Sequence, residues 1–164
     1  MMKNLIYYMM GIVCLMALPS TAEARLGEAL EELNKRFGKP IEEKIVSELN
    51  LKQISYKNHD LLIGVTLIDG KSASEQYMRS SFKRDENGKL ILLPLSKDLV
   101  DAIMGANASG LDWNLVSKEE SADSKKYVRA DMGALAMVAY THGNISEVRL
   151  STSAFNRHMT SIKK

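Results

Sequence analysis

The sequence predicts an α+β domain: an antiparallel sheet with helices on one face, with a duplicated helix-plus-meander unit as one reading of its layout. Three observations carry this. A helical stripe runs from Leu26 to Phe37. Two hairpin signals, Asp69-Gly70 and His142-Gly143, each lie between alternating apolar runs. The order helix, glycine, strands, hairpin glycine occurs twice, and the two hairpin glycines are 73 residues apart.

Ahead of the domain, residues 1–24 read as a cleavable signal peptide. Lys3 supplies the positive n-region, Leu5 to Leu18 an apolar run, and Pro19 breaks it. Ala22 and Ala24 then offer the small side chains a signal peptidase needs, which places the cut before Arg25. The apolar run falls short of the ~20 residues that span a bilayer, so no stable membrane span is expected after cleavage. The competing reading is an uncleaved leader that tethers a structural protein. Lipidation at Cys14, the only cysteine, is disfavoured by the branched Val13 directly before it.

Residues 25–164 read as one mature domain, with repeats proposed over 25–95 and 96–164. In the first helix Leu26, Ala29, Leu30, Leu33 and Phe37 make the apolar stripe. The pairs Glu31–Lys35 and Glu32–Arg36 fall on the outer face with Glu28. Gly38 and Pro40 end the helix. Strand character follows from Ile45 to Tyr56 and again from Leu61 to Leu67, where Leu61, Ile63, Val65 and Leu67 share a face. A bulged turn at Asp69-Gly70 pairs Leu67 with Ala73 and Ile63 with Tyr77.

Asn87-Gly88 marks a turn before the strand Leu90 to Leu93. Ser96 caps a second helix from Lys97 to about Ala106. Trp113 to Val116 and Tyr127 to Ala130 read as short strands around a polar loop. Ala134 to Thr141 and Ile145 to Thr152 form the second hairpin, with Val138 facing Val148 and Ala136 facing Leu150. A last helix from Ser153 carries Phe155, Met159 and Ile162 on one face.

The leading helix, ending in Phe37-Gly38-Lys39-Pro40 and followed by a meander, resembles the small outer-membrane-assembly lipoproteins. The tandem layout resembles the beta-lactamase-inhibitor proteins. That resemblance implies a non-catalytic envelope protein presenting a sheet surface to another macromolecule.

Composition narrows the function without naming it. A net charge of +2 with scattered basic residues lacks the concentrated footprint of a nucleic-acid binder, so no nucleic-acid partner is expected. The mature chain has no cysteine, which excludes disulfides, cysteine–zinc sites and a thiol nucleophile. No cofactor or metal motif is present, and no Gly-x-Ser-x-Gly. His59, Asp60, Asp69 and His142 are the only candidates for an acid–base or metal site. His142 and Asp69 hold equivalent turn positions, which approach each other if the repeats pack side by side. Trp113 and Tyr77 are the candidate binding surface. The leading reading is an exported periplasmic or extracellular binding module whose partner is another envelope protein, with a small envelope hydrolase using His59, Asp60 or His142 as the alternative. Oligomeric state is not encoded legibly.

Overall fold

Ten strands and three helices are set out in a computed structural model that describes residues 25–118 and 123–162; the leader reading over residues 1–24 lies outside it. In order these are α1 (Leu30–Phe37), β1 (Glu42–Val46), a 3-10 turn (Ser47–Leu49), β2 (Leu51–Asn58), β3 (Leu61–Ile68), β4 (Lys71–Arg79), β5 (Phe82–Arg84) and β6 (Leu90–Leu92). There follow α2 (Lys97–Ala106), β7 (Trp113–Lys118), β8 (Ser124–Arg129), β9 (Ala134–Thr141), β10 (Asn144–Thr152) and α3 (Ser153–Ile162). Strands β5 and β6 form their own hairpin. The other eight make one antiparallel sheet in the order β1-β2-β3-β4-β10-β9-β8-β7. Each half is therefore a helix followed by a four-stranded meander, and β4 meets β10 at the centre.

The turns explain the register. Asp69-Gly70 and His142-Gly143 both hold left-handed backbone, with φ of 50° and 76° in the first and 50° and 77° in the second. Two consecutive left-handed residues make the primed turn whose twist matches the strands it joins. The hairpins are thus tight, and Ile68 pairs with Lys71. The bulged turn expected at Gly70 is therefore corrected: the irregularity lies inside β4 at Ala73, where Thr66 faces Ser74 and Leu67 faces Ser72, so Leu67 does not pair with Ala73. Beyond the bulge Ile63 meets Tyr77 as expected. In the second hairpin Val138 faces Val148 and Ala136 faces Leu150, again with a bulge, at Ser146.

Helices α1 and α2 lie on one face. Leu33, Val100 and Ile103 pack there with Ile54, Tyr56, Ile63, Val65, Tyr77, Val138, Val148 and Leu150. Burial of each such large side chain stabilises the fold by about 1.5–3 kcal/mol. Ser96 accepts from the Leu99 amide and starts α2. The third helix departs from the expectation of helices on one face. Asn156 on α3 donates to Ser151, whose side chain points away from Leu150 and the main core, so α3 folds onto the opposite face.

Helix α1 starts later than its apolar stripe predicts. Residues 25–29 instead run beside β4: Gly27 and Glu28 both donate to Ser72 Oγ, at 2.9 and 3.2 Å, and Ala29 bridges Lys71. Leu26 donates to Asn107 Oδ1 at the end of α2, which ties the two helical layers together. Backbone bonds to the sheet outcompete the first helical turn, whose amides have no intrahelical partner in any case.

The placement of Glu28 and Arg36 on a wet face is also corrected. Arg36 is 6% exposed and pairs with Glu28 at 3.0 Å and with Glu75 of β4 at 3.2 Å; Glu75 is fully buried. Tyr77 donates its hydroxyl to Glu75, and the Arg36 guanidinium stacks 4.1 Å from the Phe37 ring centre. Removing one member of such a buried set strands the other charge. Arg36→Met is therefore expected to cost about 3–5 kcal/mol in urea unfolding, because it leaves both Glu28 and Glu75 without their cation, while the triple change Arg36→Met with Glu75→Leu and Glu28→Gln costs much less. Equal losses for the single and the triple variant would contradict this account.

Candidate functional site

The acid–base candidates do not converge. His59 and Asp60 form the β2–β3 turn, and His142 belongs to the β9–β10 turn at the same end of the sheet. Those turns are three strand spacings apart, about 14 Å at ~4.8 Å per strand. Asp69 lies at the other end, because an antiparallel β4–β10 joint sends equivalent turns of the two halves to opposite ends. The expected approach of Asp69 and His142 is therefore corrected. Asp60 pairs with Arg79. His59 and His142 hold φ of 53° and 50°, a left-handed conformation in which histidine is enriched, so backbone geometry accounts for both. Among the described residues no group of three or more His, Cys, Asp or Glu is placed to hold a metal.

The two aromatic candidates are also placed inside. Tyr77 is 2% exposed in the main core. Trp113 is half-buried against that core and donates its indole N–H to the Met104 carbonyl at 2.9 Å, which fixes β7 to the end of α2. Each has its polar atom engaged, as amphipathic aromatics do when buried.

What remains open is the second face of the sheet. Strand register lays out its side chains in rows. One row runs Lys57, Leu62, Met78, Glu147, Ala139, Ser124. The next runs Ser55, Gly64, Gln76, Arg149, Met137, Lys126, and the third Gln53, Thr66, Ser74, Ser151, Leu135, Val128. Leu62, Met78, Met137, Leu135 and Val128 are only half-buried, and α3 is the one helix among the described residues on this side. Apolar and charged groups alternate across it. Between α3 and β2–β4 the face sinks into a cleft of about 380 Å³. The alternation along these strands was visible in the sequence, but period two does not reveal which face a helix covers.

Burial sets the charges beneath α1 on the other side. Desolvation pushes the Glu28 carboxyl above the ordinary glutamate value, against the pull of Arg36. Desolvation, reinforced by the Glu75 carboxylate, holds the Tyr77 phenol well above its usual range, and burial raises Tyr56 as well. Both phenols thus serve as donors, Tyr56 to Asn34 at 3.0 Å.

No protein-family model matches the chain, and no curated protein sequence matches it. Its fold is similar to that of a cysteine-rich secretory protein from Staphylococcus aureus, with a TM-score of 0.50, 13% identity and coverage of 79% of this chain and 45% of that one. An extracellular protein containing an SCP domain from Bacillus anthracis gives a TM-score of 0.46 and 10% identity, covering 82% of this chain and 46% of that one. A DUF4309 family protein from Bacillus subtilis gives 0.40 and 13%, covering 77% and 79%. The chain spans under half the length of the first two. The first of these likenesses bears on the fold alone. Among the described residues no helix is long and apolar enough to cross a membrane.

The raised Glu28 carboxyl has a signed consequence. A carboxyl that holds its proton more tightly when folded adds stability that is complete below about pH 4.5 and is lost as pH rises through the raised value. Glu28→Gln is therefore expected to shift the urea midpoint more favourably, relative to the parent, at pH 7 than at pH 4. A shift in the opposite direction would show that attraction to Arg36 outweighs desolvation.

Proposed function

We propose that the chain is an exported, non-catalytic binding module that docks a partner protein of the cell envelope on the second face of its sheet. The observation that carries this is the half-buried set Leu62, Met78, Met137, Leu135 and Val128, left without a helix over it. Leu62 and Met78 lie on one side of the Glu147–Arg149 pair of β10 and Met137, Leu135 and Val128 on the other, with Lys57 and Lys126 outermost; apolar groups interleaved with charges in this way have the make-up of a protein-docking surface. Methionines suit it further, since their flexible side chains fit many partner shapes.

Export rests on the leader of residues 1–24, and the secretory and extracellular descriptions of two fold neighbours agree with it. The sequence's resemblance in layout to outer-membrane-assembly lipoproteins and beta-lactamase-inhibitor proteins implies the same use of a sheet. Duplication of one helix-plus-meander unit accounts for the two halves: both have the same strand order, and residues 73 apart, Gln76 and Arg149, stand opposite each other at the joint.

The test is capture of an envelope partner by mature protein, whose intact mass begins at Arg25 if the leader is removed as proposed. Met78→Asp with Met137→Asp is expected to reduce capture at least about tenfold, the loss a central hot spot produces, with the melting temperature retained. Thr160→Asp, on the exposed side of α3, leaves capture unchanged. Undiminished capture by the double variant would overturn the reading.

A further inference from the structure

The cleft between α3 and strands β2–β4 differs chemically from the apolar set beside it. Its walls carry Gln53, Ser55, Thr66, Gln76 and Arg149, and Phe155 of α3 closes one side. The side chains of Gln53, Ser55, Thr66 and Gln76 have no hydrogen-bond partner among the described residues. Their neighbours do: Ser74 donates to the Leu150 carbonyl at 3.0 Å and Ser151 accepts from Asn156. Four polar side chains without an intramolecular partner thus line one hollow.

Gly64 forms its floor. A glycine inside a strand weakens it, and its usual reasons are a positive φ or a close backbone neighbour. Neither applies here. Gly64 is absent from the positive-φ residues, and an added Cβ would meet only Gln76 atoms at 3.8 and 3.9 Å, an ordinary contact. The effect of the missing side chain is to keep the hollow deep.

The lining selects a ligand by exclusion and by fit. No carboxylate lines it, and its one cation, Arg149, is already paired with Glu147 at 2.8 Å, so neither a metal ion nor a polyphosphate suits it. An apolar ligand would strip water from four polar groups without replacing their bonds. Two primary amides, each both donor and acceptor, pair reciprocally with an acetamido group, while the Ser and Thr hydroxyls match sugar hydroxyls. The Phe155 ring offers an apolar wall for a sugar face or an acetyl methyl group. A volume of about 380 Å³ sits at the low end of small-molecule sites. We propose that this cleft binds an N-acetylated oligosaccharide. The inference stands on the cleft alone and does not need the protein-docking surface.

Chitotriose is the probe and cellotriose, which lacks the acetamido groups, the control. In an NMR titration of the mature chain, chitotriose is expected to shift the resonances of Gln53, Thr66 and Gln76 saturably, and cellotriose to bind at least about tenfold more weakly, since unmatched amides are left in the site. Gln76→Ala is expected to weaken chitotriose at least about tenfold, as is Gln53→Ala at the exposed mouth should the first variant fold poorly. Gly64→Val separates a binding role from a structural one. It fills the floor while favouring the strand, so binding is lost with the melting temperature equal or higher. Absence of saturable shifts with chitotriose, equal affinity for both sugars, or full binding by Gly64→Val would each overturn the proposal.

Discussion

The antiparallel pairing of β4 with β10 is the constraint on which the rest of the molecule depends. Each half alone is a helix on a four-stranded meander, and each would end in an unpaired strand bearing core side chains. Joining those two edges makes one eight-stranded sheet and one continuous core, in which Glu75 lies beside Leu150 and Tyr77 beside Val148. It also sets the symmetry: because Gln76 faces Arg149, equivalent turns are carried to opposite ends of the sheet, and the two histidine-bearing turns at one end stay apart. The same joint makes the second face wide enough to hold both an apolar set and a polar cleft.

The halves are not chemically equal. Glu75 is buried under α1 with Arg36, whereas Val148, 73 residues on, occupies an ordinary apolar place under the same layer. A buried ion pair is weak evidence for stability, since well-packed apolar residues serve as well or better. What it does here is tie α1 to the central strand by directional contacts. The free edges differ too: β1 carries Glu42, Glu43 and Lys44, with Glu43 paired to Lys52, a charged edge that discourages further strand addition.

Local signals made much of the fold legible. The Ser96 cap, the Gly38 stop, and the alternation in Leu61–Leu67 and Ala134–Thr141 depend on neighbours in sequence, and each appears where its chemistry requires. Misreadings arose where a distant partner decided. Helical periodicity sends Glu28 and Arg36 outward, but Glu75 on β4 draws them in. Trp113 reads as a core residue unless exposed, and Met104 supplies the partner that holds it half-buried; Tyr77, a candidate for the binding surface, is drawn inside with Glu75. For the open face the signal was Gly64, which interrupts the run Leu61-Leu62-Ile63-Gly64-Val65: an in-strand glycine with neither a positive φ nor a close backbone neighbour leaves space on its side of the sheet. Which face of the sheet the terminal helix covers depends on where the chain turns after Thr152, and no pattern in the sequence encodes that.

The central claim is that the second face of this sheet meets a partner. It is tested most directly by placing a photo-reactive amino acid at Met78, at Met137 and, on the exposed segment before β1, at Ile41, and irradiating cells that export the protein. The account predicts adducts of one common mass from Met78 and Met137 and none from Ile41. Adducts from Ile41 alone, or the same adducts from all three positions, would contradict it.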